Sequence, residues 1–77
     1  MHNVNEVIMK NEIICKNLIE LRTDANMTQQ QIADYLEIDR SNYSKYELGK
    51  LTLSVDMLIK LAKLYNVSAD YILGLEE

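Results

Sequence analysis

The sequence predicts an all-α fold, a compact bundle of five short helices, and three observations carry that prediction. The 77 residues include no proline and only two glycines, too few to turn the hairpins of a β-rich domain of this size. Ser, Thr, Asp and Asn recur instead at intervals that suit helix caps. Between those caps, apolar residues repeat at three- and four-residue steps, the period of one helix face. The length allows one domain, near the lower range in which a single core holds a fold. With 48% hydrophobic and 26% charged residues, the chain is expected to fold rather than stay disordered.

Each helix has its own start and stop. Val7, Ile14, Leu18, Leu21 and Ala25 line one face of a first helix, whose start falls between Asn5 and Glu12. Residues 1–10 read as an N-terminal extension that forms part of that helix or leads into it, and residues 11–77 as the domain itself. Asn26 sits where the helix should stop, because asparagine tolerates the left-handed conformation that closes helices. Met27 follows as a core residue. Thr28 and Gln31 then have the spacing of a capping box, so a second helix opens at Gln29, buries Ile32, Ala33 and Leu36, and ends near Leu36.

Glu37, Ile38 and Asp39 form a tight turn, with Asp39 placed to cap a third helix from Arg40 to about Leu48. Gly49 is the expected left-handed residue beyond it. Ser54 caps a fourth helix with Val55, Leu58, Leu61, Ala62 and Tyr65 turned inward, and Asn66 stops it. Ser68 caps a short fifth helix that ends near Leu73, with Gly74 past its end.

Several function classes are not expected. A single cysteine, Cys15, cannot make an internal disulfide, and no Cys/His cluster suits a metal, so neither metal nor cofactor is expected. Cys15 reads as a small buried hydrophobe, and the lone His2 receives no role. No nucleophile with its base, phosphate-binding glycine loop or carboxylate pair is present, which argues against an enzyme. The opening MHNVNEVIMK lacks a signal-peptide layout, and no apolar run approaches the ~20 residues of a membrane span, so a cytoplasmic protein is expected.

Two short helices joined by a three-residue turn make a helix-turn-helix, whose second helix can enter the DNA major groove N-terminal residues first. Residues 40, 41, 44 and 45 share the leading face of that helix. Arg40 and Lys45 can donate to guanine O6 and N7, and Ser41 and Asn42 can serve bases or phosphates. Tyr43 and Tyr46 fall on the core-facing side, with the Tyr43 hydroxyl within reach of a phosphate. The formal net charge of −4 opposes DNA binding as a whole, yet residues 40–50 carry Arg40, Lys45 and Lys50 against Glu47 alone.

The stretch LRTDANMTQQQIADYLEIDRSNYSKYELGK, followed by LSVDMLIKLAKLYNVSADYIL, resembles the phage-repressor type of helix-turn-helix, the Cro/cI-like or XRE family with its lambda-repressor-like DNA-binding domain. The resemblance covers roughly Ile14 to Leu73. It implies a transcriptional regulator, a repressor by expectation, that binds double-stranded DNA. It also implies that Arg40, Ser41 and Lys45 read bases, and that Gln29 bonds a phosphate and braces the first base-reading side chain. Thr28, Lys50 and Thr52 then fall near the phosphate backbone, and Arg22 pairs with Glu47. Glu37 stands where many relatives have glycine, and Leu53 where proline is common. Residues 1–10 lie outside the resemblance.

A domain of this size touches few base pairs, so a homodimer on a palindromic operator is expected. Ile72, Leu73 and Leu75 are the expected dimer surface, with Val4, Val7 and Ile8 of the extension as the rival. The alternative function is a protein-interaction module of the same fold, such as an antitoxin or an anti-repressor-responsive subunit, with a protein partner.

Overall fold

The computed structural model describes the backbone of residues 4–75 and the side chains of residues 11–75. Five helices follow in order: α1 (Val4–Asp24), α2 (Gln29–Leu36), α3 (Arg40–Glu47), α4 (Val55–Tyr65) and α5 (Ala69–Leu73). The fold is all-α, as the caps and periodicity indicate. The chain is already helical at Val4, one residue before the earliest expected start, so residues 4–10 of the extension are part of α1. The side chains of Val4, Val7 and Ile8 lie outside the described residues.

Four helices begin with a side chain that accepts from the first turn. Thr28 Oγ1 accepts from the Gln31 N–H at 3.1 Å while Gln31 Oε1 accepts from the Thr28 N–H at 2.8 Å, completing the capping box. Asp39 Oδ1 caps α3 through the Asn42 N–H at 3.0 Å, and Ser54 and Ser68 cap α4 and α5. Each such cap contributes about 1 kcal/mol. Helix ends are equally explicit: Asn26, Glu37 and Asn66 adopt positive φ of 56°, 60° and 56°, joined by Gly49 and Gly74 at 77° and 75°. At Gly74 the constraint is double, because a Cβ there would run into the Ile13 side chain of α1.

The core is Leu18, Ile32, Ala33, Leu36, Tyr43, Leu61 and Ile72, which draws on all five helices. Full burial of each large member contributes about 1.5–3 kcal/mol, more than any one cap, so packing dominates the stability. The α2 and α3 helices pack on each other, α1 lies against α3 and α5, and α4 against α5. Asn17 of α1 fastens the last helix by donating from Nδ2 to the carbonyls of Tyr71 at 3.1 Å and Ile72 at 3.2 Å. Tyr35 donates its hydroxyl to the Lys60 carbonyl, tying α2 to α4.

Three residues depart from their expected places. Ala25 is exposed in the turn after α1, whose apolar stripe therefore ends at Leu21. Val55 is 73% exposed, since the first residue of α4 precedes the turn that meets the core. Ile72, expected on the surface, is fully buried because α5 folds back against α1 and α4.

Candidate nucleic-acid interface

Helix α3 has two faces. Tyr43 and Glu47, four residues apart, are buried, Ser41, Asn42 and Lys45 are exposed on the opposite side, and Arg40 is exposed as the first residue of the helix. The helical period separates Ser41, Asn42 and Lys45 from the buried face, and Arg40, three residues before Tyr43, reaches solvent because it opens the helix, so all four candidates are exposed. Ser44 is half-buried between the faces. Asp39 orders the exposed start of the helix twice over: its Oδ1 accepts the Asn42 N–H and also the Ser41 hydroxyl at 3.1 Å.

Behind that face lies a polar junction. The Arg22 guanidinium meets the Glu47 carboxylate in a forked contact, Nε to Oε2 at 2.7 Å and Nη2 to Oε1 at 3.1 Å, and its Nη1 donates to the Met27 carbonyl. Gln29 donates from Nε2 to Glu47 Oε1 at 3.0 Å. One carboxylate thus joins α1, the start of α2 and the end of α3. Burial works to raise the Glu47 pKa, but the bonds from Arg22 and Gln29 outweigh it and hold the carboxyl below its ordinary value. The bonds that Arg22 donates to Glu47, opposed by burial, raise the Arg22 pKa.

The hydroxyls of Tyr43 and Tyr65 are buried around this junction and make no hydrogen bond within the described residues. Burial first, then the nearby Glu47 charge, pushes Tyr65 up to about 12 and Tyr43 further still. Tyr43 sits beside the carboxylate without reaching hydrogen-bond geometry, so proximity to the charge accounts for that part of its shift. The Tyr43 hydroxyl therefore faces the interior, which corrects the expectation that it reaches a phosphate.

The remaining candidates surround α3. Thr28 is exposed, with its hydroxyl engaged as a cap, and Gln29 is half-buried with its amide turned to Glu47 rather than to Arg40. Lys50 and Thr52 are exposed in the loop after α3, where the Lys50 and Leu51 N–H groups both return to the Lys45 carbonyl. Of the expected dimer residues, Ile72 is sealed in the core, Leu73 is half-buried, and only Leu75 is well exposed, at 62%. Other exposed apolar side chains are Val55, with Ile59 four residues on along the same face of α4, and Leu48 and Leu51 after α3.

Sequence reasoning missed Asn17, whose role depends on a helix 55 residues away and leaves no local signal. The Asp39–Ser41 bond was within reach, because a cap followed two residues later by serine places the two side chains together.

A profile of the helix-turn-helix family matches residues 18–72, the span from the middle of α1 to α5. The chain belongs to this family, in its phage-repressor type. It is 45% identical over 62 residues to the HTH-type transcriptional regulator ImmR of Bacillus subtilis, covering 80% of this chain and 49% of that protein. It is 37% identical to the HTH-type transcriptional activator BcrR of Enterococcus faecalis over 80% of this chain and 30% of that protein. The cryptic phage CTXphi transcriptional repressor RstR of Vibrio cholerae is 34% identical over 79% of this chain and 54% of the relative. The chain spans about half the length of several such helix-turn-helix relatives. No solved structure matches it significantly. Among the described residues, no helix is long and apolar enough to cross a membrane.

Proposed function

We propose that this chain binds double-stranded DNA and regulates transcription, with α3 entering the major groove by its N-terminal end. The observation that carries the reading is the division of α3, which buries Tyr43 and Glu47 and presents Arg40, Ser41, Asn42 and Lys45 together at the end of a capped helix. Arg40 and Lys45 supply donors for guanine, while Thr28, Gln29, Lys50 and Thr52 flank the phosphates. Repression is the proposed direction, because occupying an operator is enough to exclude other proteins from it, whereas activation needs a further contact.

The proposed assembly is a homodimer on a palindromic site with half-sites about one helical turn (~34 Å) apart. With Ile72 sealed in the core, Leu75 is the expected residue left to test for pairing: Leu75→Asp should give monomers by analytical ultracentrifugation, and an intact dimer would move attention to Val55 and Ile59. The acidic remainder of the chain should keep nonspecific binding weak and the salt dependence modest.

A second reading is a protein-interaction module, favoured by the exposed apolar residues Leu48, Leu51, Val55 and Ile59 and by the net charge of −4. Selecting sites from a randomised duplex pool, alongside Arg40→Ala, separates the two. An inverted repeat enriched by the wild type and lost with the variant supports the regulator. No enrichment by folded protein puts the interaction module first.

A further inference from the structure

The bond between Ser41 and Asp39 restricts what Ser41 can read. A serine hydroxyl has one proton to donate and two lone pairs to accept with, and with the hydroxyl free to rotate it pairs with either a base carbonyl or a base amino group. Here the proton is committed. The Asp39 carboxylate can only accept, so the 3.1 Å contact is donated by the Ser41 hydroxyl. Asp39 Oδ1 is itself fixed by the Asn42 N–H at 3.0 Å, so the acceptor stays where the cap needs it. What Ser41 turns outward is an oxygen with lone pairs, made more negative by the hydrogen bond it donates.

In the major groove, the exocyclic amino groups of cytosine (N4) and adenine (N6) are donors, while guanine O6, thymine O4 and the purine N7 atoms are acceptors. We propose that Ser41 is a specificity-determining residue that reads one base of each half-site as an acceptor only, selecting cytosine or adenine and rejecting a guanine or thymine edge, with Asp39 as its positioning residue. The proposal rests on the reading that α3 enters the major groove. It assigns Asp39 a part in recognition although the aspartate makes no base contact itself. A carbonyl edge opposite Ser41 meets an unpaired oxygen and a fixed negative charge, so the wrong base is repelled as well as unrewarded.

The test is site selection from a randomised duplex pool with wild type, Ser41→Ala and Asp39→Thr, each checked for folding by circular dichroism. Threonine keeps an N-cap acceptor for the helix but replaces the carboxylate with a neutral hydroxyl already engaged by the Asn42 N–H, a weaker competitor for the Ser41 proton. The wild type should select an inverted repeat with one position favouring cytosine or adenine by about five- to tenfold, the worth of one hydrogen bond with its desolvation. Ser41→Ala should flatten that position alone. Asp39→Thr should widen it to admit guanine or thymine while leaving the positions read by Arg40 and Lys45 unchanged. If the wild type selects a site but Ser41→Ala alters no position, or flattens one that favoured guanine or thymine, the acceptor proposal is wrong and the DNA-binding reading stands. If folded wild type selects no site, both fall together.

Discussion

The inward and outward faces of α3 use polar groups in opposite ways. Inward, Glu47 satisfies its charge within the protein through Arg22 and Gln29, and its side chain is 3% exposed. Outward, Arg40 and Lys45 have no protein partner among the described residues and keep their donors open to solvent. The inner groups are matched in advance and the outer ones await a match, which teaches that the two sets should fail in different assays.

The largest effect is expected from Glu47→Ala, which leaves Arg22 without its counter-charge at a junction of three helices. Breaking a buried pair from one side costs ~3–5 kcal/mol, and the lower end applies because Arg22 keeps its bond to the Met27 carbonyl. Urea unfolding measures it, and a loss below 1 kcal/mol would erase the contrast between the faces. Arg40→Ala or Lys45→Ala should each weaken operator binding by about ten- to hundredfold, ~1–3 kcal/mol, by titration. Their melting temperatures should stay near wild type, since exposed substitutions fall within about 0.5 kcal/mol.

Acid should act on the inner face in a graded way. The folded-state pKa of Glu47 lies below the ordinary 4.5, so the folded protein binds fewer protons there than the unfolded chain. The contribution is complete above that ordinary value and is lost as pH falls through the lowered one. Glu47→Gln should flatten this part of the stability profile, and an unchanged acid limb would assign it to other carboxylates. The smallest effect concerns the turn, which belongs to neither face. Glu37 is held left-handed at φ 60°, and Glu37→Gly should raise stability by about 1 kcal/mol with operator affinity unchanged. No rise in the melting temperature would mean that the strain is relieved elsewhere.

The legible parts of the fold were those decided within a few residues. Thr28, Asp39, Ser54 and Ser68 cap helices because each can reach a free N–H one turn ahead, and Asn26 and Asn66 stop them for an equally local reason. The exposure of Ser41, Asn42 and Lys45 was legible because the helical period separates them from Tyr43, and that of Arg40 because the Asp39 cap makes it the first residue of α3. Burial across the bundle was not. Ile72 is sealed because α5 folds back on α1, held by Asn17 and by the close fit of Gly74 to Ile13, while Val55 is exposed because it precedes the turn of α4 that meets the core. The burial of the Tyr43 hydroxyl likewise depends on packing between helices, which no pattern near residue 43 encodes.

The packing of α1 against α5 also sets a schedule. Neighbouring helices such as α2 and α3 can meet as soon as both exist, but Asn17 must wait for carbonyls made 55 residues later. At a synthesis rate of about 10 residues per second, that delay is roughly 5 s. Throughout it the apolar stripe of the nascent first helix can meet α3 but not α5, so the growing chain stays more open to chaperone capture or aggregation until α5 has emerged.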